Sequence, residues 1–280
     1  MYSAMKHRQL ALLSLFLCLA SFSVRAQVSL APTTIFFDQN GIGTLFVTNP
    51  GDTPQEINVS FLFGYPGNDD LGNLVMVYGD SLSEKQFGMG DRLRAFPRTF
   101  ILAPQQQQTV RLQVRPDRSL AAGTYFTRIK VTSNAQTEDV EQTATEGVST
   151  QVNFKFDQVI AGFNKVGAVT TGLEFTSMET EIGDGILRIV PAYKVTGNSP
   201  YLGSVTATMR NANKEVLTEQ QQTVALYFSG KRALEVKLPE NLPSGTYEIV
   251  LTYETRRSDI PSTDLVQAPA ISQTVTVHIQ

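Results

Sequence analysis

The stretch Leu112-Gln-Val-Arg-Pro-Asp-Arg-Ser-Leu-Ala-Ala-Gly-Thr-Tyr125 returns 122 positions later as Leu234-Glu-Val-Lys-Leu-Pro-Glu-Asn-Leu-Pro-Ser-Gly-Thr-Tyr247, with no gap between the shared positions. An ungapped repeat of this kind means two copies of one architecture. In an immunoglobulin-like sandwich a strand ends, the chain crosses to the other sheet, and a tyrosine opening the next strand bonds back to the corner just left. Gly123 and Gly245 are placed to make the tight turn, and Tyr125 and Tyr247 to be the corner residues.

Around the repeat, polar and apolar residues alternate with period two, as in Thr44-Leu-Phe-Val-Thr48, Ile57-Asn-Val-Ser-Phe61, Thr109-Val-Arg-Leu-Gln-Val114 and Thr274-Val-Thr-Val-His-Ile279. Gly, Pro, Asn and Asp fall between these runs, as they do between strands. No window of helical length keeps an apolar face, so the fold class is all-β: two immunoglobulin-like β-sandwich domains in tandem. Phe96 to Leu102 reads as one strand ended by Pro104, and Gln105 to Gln108 as the solvated turn before Thr109.

Lys6, His7 and Arg8 precede the apolar run Leu10 to Phe22, and Val24-Arg25-Ala26 resembles a cleavage site, so residues 1–26 read as a signal peptide. Export into a periplasm or beyond is the expectation. The run is shorter than the ~20 residues of a membrane span. Cleavage removes Lys6, Arg8 and Arg25 from the 23 basic residues and none of the 26 acidic ones, moving the net charge from −3 to −6. It also removes the sole cysteine, Cys18, so the exported chain must rely on its core. Mild acidity without a basic run argues against nucleic acid or membrane insertion.

The first domain is placed at 27–156 and the second at 157–280, with Thr132 to Gly147, acidic and nearly devoid of large apolar residues, as a mobile loop. Catalytic chemistry is poorly supplied. His278 remains as the one histidine after cleavage and lies on a solvent-facing strand position with Thr274 and Thr276, which removes the base a hydrolase requires. No cofactor motif and no metal spacing occur, and Asp69-Asp70 and Asp184 read as turn residues. Asn58-Val-Ser60 matches a glycosylation acceptor inside an expected strand.

The segment FPRTFILAPQQQQTVRL (96–112) followed by LAAGTYFTRIKV (120–131) resembles the N-terminal domain of the periplasmic pilus-chaperone superfamily, with Gln105 in place of the turn glycine. Val28 to Asp38 and Gly43 to Pro50 look like that family's first two strands. Gly185-Ile-Leu-Arg-Ile and Asn198-Ser-Pro-Tyr201 look like its second domain. The resemblance implies a non-catalytic periplasmic chaperone that lends a β-strand to exported, incomplete pilin-like subunits, with an outer-membrane usher as a further partner. On this reading Val148, Thr150 and Val152 of the strand Val148 to Phe156 face the client, while Phe154 and Phe156 turn toward the domain core. Lys155 falls near the family's carboxylate-anchoring lysine, whereas the matching arginine position holds Thr34. The competing reading is a structural or adhesive cell-surface module with the same fold and no client.

Overall fold

The computed structural model describes residues 28–135 and 154–279. The first sandwich has one sheet of four strands in the order β1 (Ser29–Ala31), β3 (Ile42–Thr48), β9 (Gln107–Val114), β7 (Leu93–Phe96). Its facing sheet runs β2 (Thr34–Phe36), β11 (Lys155–Val166), β10 (Gly123–Ala135), β4 (Gln55–Leu62), β8 (Thr99–Leu102). The opening strand is therefore split between the sheets: after Pro32, which has no N–H for a ladder, the chain crosses over and Thr34–Phe36 lies parallel to β11. Period-two alternation puts Leu45, Val47, Ile57, Val59, Val110, Leu112, Ile129 and Val131 into one core.

The second sandwich packs β12 (Thr171–Gly183), β13 (Ile186–Gly197), β16 (Gly230–Lys231) and β17 (Leu234–Lys237) against a sheet ordered β15 (Val216–Leu226), β14 (Tyr201–Arg210), β18 (Gly245–Glu254), β19 (Ile271–Ile279). Both sandwiches have immunoglobulin-like strand order, as the repeat requires. Each repeated tyrosine is a corner: the Tyr125 hydroxyl donates to Ala121 O at 3.0 Å and the Tyr247 hydroxyl to Pro243 O at 2.6 Å. Both rings are buried.

Four sequence expectations need correction. Phe96 to Leu102 is two strands in opposite sheets, β7 and β8, because Pro97 donates no ladder bond where the chain changes sheet. The glutamine turn is shorter than expected. Gln105 alone takes the left-handed conformation (φ 56°), its side chain donating to Pro50 O and Gly51 O, and Gln107 and Gln108 already belong to β9. The first sandwich does not end at Phe156: β11 pairs with β10 as far as Val166, so the chain changes domain between Val166 and Thr171. Thr132 to Ala135 prolongs β10, and the rest of the expected loop lies outside the described residues.

Between β4 and β7 stand a hairpin, β5 (Gly64–Asn68) with β6 (Leu74–Tyr78), and one short helix, α1 (Ser81–Phe87). No described helix is long and apolar enough to cross a membrane. The hairpin reaches the second sandwich. Tyr193 donates to Asn68 Oδ1 at 3.0 Å, Ala233 N–H to Gly72 O at 2.8 Å, and Arg188 to Leu71 O at 2.7 Å and Asn73 Oδ1 at 2.8 Å. On the other side of the joint, Asn198 Nδ2 donates to Ala122 O and Ala168 O, and Thr124 N–H donates to Asn198 O. A cluster of rings fills the space between, with Phe63, Phe126, Phe163 and Tyr227 buried and Tyr65, Phe87 and Phe228 packed against them. Ring pairs such as Phe126 and Tyr227, edge to face at 4.7 Å, add roughly 0.5–1.5 kcal/mol beyond their area.

Candidate functional site

The site is the outer edge of β11. On its inner side this strand pairs with β10 without interruption, from Val166 opposite Gly123 to Lys155 opposite Asn134. On its outer side, β2 covers it only at Ala161, Gly162 and Phe163, and Phe37 N–H then donates to Phe163 O at 2.9 Å. That bond fixes the parity. Phe163 turns its main-chain polar groups outward, so by alternation Val159, Asp157 and Lys155 do the same. Among the described residues no strand pairs with the edge from Lys155 to Ile160.

The two faces of this open segment differ. The even-numbered face begins in the core, where Ile160 is buried and a Cβ on Gly162 would meet Ile129, Thr127 and Phe37. Toward the segment's start it runs past the core's end. Gln158 donates to Val28 O beside β1, and Phe156 and Phe154 then stack on each other, centroids 6.4 Å apart, with 40% and 65% of their surfaces exposed. The expectation that these two rings turn into the core is overturned, because among the described residues no facing strand reaches far enough to cover them. The odd-numbered face carries exposed Lys155, Asp157 and Val159, the last 41% exposed. Thr132 Oγ1 donates to Asp157, with Lys130 at 3.3 Å. The threonine bond chiefly, helped by the lysine, holds its carboxyl below the usual carboxylate range.

Lys155 and Thr34 are not neighbours. Thr34 lies opposite Ala161, six positions along the strand from Lys155, or roughly 20 Å at the rise of an extended chain. The cation near that end is Lys165, whose Nζ donates to Asp264 O at 3.0 Å and lies 5.8 Å from the Phe36 ring centroid. Val148, Thr150 and Val152 lie outside the described residues.

Sequence reading missed the exposed rings of Phe154 and Phe156. The signal was present: the next residue of the same face is Gln158, so the apolar alternation breaks before the core residue Ile160. His278 is exposed on β19 and its ring meets Thr246 Oγ1 at 3.1 Å. Among the described residues no group of His, Cys, Asp or Glu is placed to hold a metal ion. Asp69 accepts from Leu71 N–H and Asn73 N–H, and Asp184 sits at φ 52°, as turn residues do.

No family model and no curated protein matches the chain. Among solved structures, the YadV chaperone is 10% identical, with 90% of this chain and 100% of that one covered and a TM-score of 0.46. The SafB chaperone in complex with the SafA pilin of Salmonella enterica is 12% identical, with 89% and 96% covered and a TM-score of 0.41. The CsuC–CsuE pre-assembly complex from the archaic chaperone-usher Csu pili of Acinetobacter baumannii gives 9%, with 88% and 98% covered, and 0.42.

Proposed function

We propose that this protein is a divergent, non-catalytic member of the periplasmic pilus-chaperone superfamily that binds exported, pilin-like subunits by lending them the outer edge of β11. The observation that carries the reading is the coincidence, among the described residues, of unpaired main chain at Lys155, Asp157 and Val159 with the exposed side chains of Phe154 and Phe156. An open edge offers general main-chain hydrogen bonds, and alternate side chains give selectivity by filling the client's groove. A large side chain fully buried in this way contributes roughly 1.5–3 kcal/mol, so the two rings of the even-numbered face are enough to matter. In the sequence Val148, Thr150 and Val152 share the even-numbered parity of Phe154 and Phe156, and they are proposed as the further client-facing positions. Lys155 points to the same side as Asp157 and is available to meet a client carboxylate or carbonyl at one end of the strand. An outer-membrane usher would receive the loaded client.

The test is a Phe154→Asp, Phe156→Asp variant expressed with its leader, followed by identification of chains that co-purify from the periplasm. Because both rings are exposed and lie outside the buried core, the melting curve should stay near that of the parent while the captured subunits disappear. Unchanged capture would refute the reading. Loss of stability with no captured chains in either form would favour the structural-module alternative.

A further inference from the structure

We infer that β19 is a self-association edge through which two copies of the chain join their second sandwiches into one continuous sheet. An unprotected edge strand invites pairing, and proteins blunt it with charge, proline, shortness or a bulge. Among the described residues β1 is three residues long and runs into Pro32, β7 and β8 flank Pro97, and the open part of β11 carries Lys155 and Asp157. The edge strand β12 carries Glu174, Glu179 and Glu181 and a break in register between Phe175 and Ser177. On the opposite side, Gln220 and Gln222 of β15 donate to Lys237 O and Glu235 O of β17 and tie the two sheets together.

β19 has none of these devices. Its nine residues, Ile-Ser-Gln-Thr-Val-Thr-Val-His-Ile, contain no Asp, Glu, Lys, Arg, Pro or Gly, and they pair with β18 from end to end without a bulge. Among the described residues the strand ends the sheet order and no strand uses its second ladder. Beside it the sandwich is incompletely closed: Ile271 and Val275 of β19 and Phe175 and Met178 of β12 pack on the core yet remain only half-buried. A strand added here would satisfy the free ladder and cover that apolar row.

A second copy fits because the edge is complementary to itself. An isologous contact sets one patch against the same patch. The antiparallel register that uses all nine residues is centred on Val275, placing Ile271 opposite Ile279, Thr274 opposite Thr276 and Val275 opposite itself, with no like charges facing.

Sedimentation of the purified protein through the micromolar range should show a monomer–dimer equilibrium. A Thr274→Lys, Thr276→Lys variant changes only exposed positions and sets lysines opposite lysines across the contact. Its dissociation constant should rise by about tenfold or more with the melting curve unchanged. As an independent reading of register, Val275→Cys in a Cys18→Ser background should form a disulfide-linked dimer on oxidation, since directly opposed residues lie about 4.5–5.5 Å apart at Cα, within disulfide reach. A protein that stays monomeric through that range, an equally strong dimer in the double-lysine variant, or no cross-link in the Val275→Cys variant would each overturn the inference.

Discussion

Tyr247→Phe removes one hydroxyl and leaves the ring in place, which makes it the cleanest probe of the repeat that organises the chain. In the parent the ring is buried and its hydroxyl donates to Pro243 O at 2.6 Å across the corner that leads into β18. Phenylalanine keeps the packing but withdraws the donor from a partly buried carbonyl. The net cost of such a loss is about 0.5–1.5 kcal/mol, toward the upper end if water does not reach Pro243 O. For a sandwich of this size that corresponds to a fall in melting temperature of about 2–6 °C, read by calorimetry or circular dichroism. Tyr125→Phe is the matched perturbation in the first sandwich, where the bond to Ala121 O is 3.0 Å and the Arg92 guanidinium lies 5.4 Å from the ring centroid, a contact that phenylalanine retains. Its cost should be of the same order, and because the corners share no partner the two costs should add. Unchanged melting in both variants would refute the corner role; a change in only one would refute the equivalence of the two copies.

Gly72→Ala should loosen the joint between the domains, because Gly72 sits at φ +81° and a Cβ there would come within 2.8 Å of Ala233 N. The expected cost is about 1–3 kcal/mol, with faster amide exchange at Ala233 as its local signature; unchanged exchange would show that the hairpin does not hold the joint. Asp80, whose Oδ1 caps α1 by accepting from Ser83 N–H, is held down to about 2 by hydrogen bonds from the Ser83 side chain, the Ser83 main chain and the Tyr65 hydroxyl. A depressed carboxyl stabilises the fold above its ordinary value of 3.8 and loses that effect as pH falls toward about 2. Amide protection in α1 should therefore hold at pH 5 and fall only between about pH 4 and 2, a step that Asp80→Asn should abolish.

The repeated corners were legible through their tyrosines, each a buried ring whose hydroxyl must find a carbonyl, whereas Gly123 and Gly245, expected to make the tight turn, instead open β10 and β18 without left-handed backbone. The period-two runs were legible because a sheet with one buried face imposes alternation on nearly every residue. The hairpin β5–β6 was not. Its sequence, Gly-Tyr-Pro-Gly-Asn and Leu-Val-Met-Val-Tyr, lacks alternation, and with Leu74, Val75, Met76 and Tyr78 all exposed no buried face imposes one. The aromatic joint was equally hidden: the pairing of β4, β10 and β11 gathers Phe63, Phe126 and Phe163 in the first sandwich, while Tyr227 follows β15 of the second, so the cluster forms only where the two domains meet. At the candidate site, the alternation from Val148 to Phe156 predicts a strand, of which Lys155 and Phe156 open β11 and Val148 to Asn153 lie outside the described residues. Which of its residues leave the core depends on where the facing sheet stops, and that is a tertiary property no local pattern encodes.

The central claim is that the main chain of β11, and not merely its apolar side chains, receives a client strand. Val159→Pro tests this most directly. Val159 N–H points away from β10, so proline there removes an outward donor while sparing the β10–β11 ladder, and proline is tolerated on edge strands for that reason. Side-by-side purification from the periplasm, with the melting temperature of each form, should show the variant nearly as stable as the parent and stripped of its co-purifying subunits. A variant that folds and still carries the same subunits at the same yield would contradict strand addition at this edge.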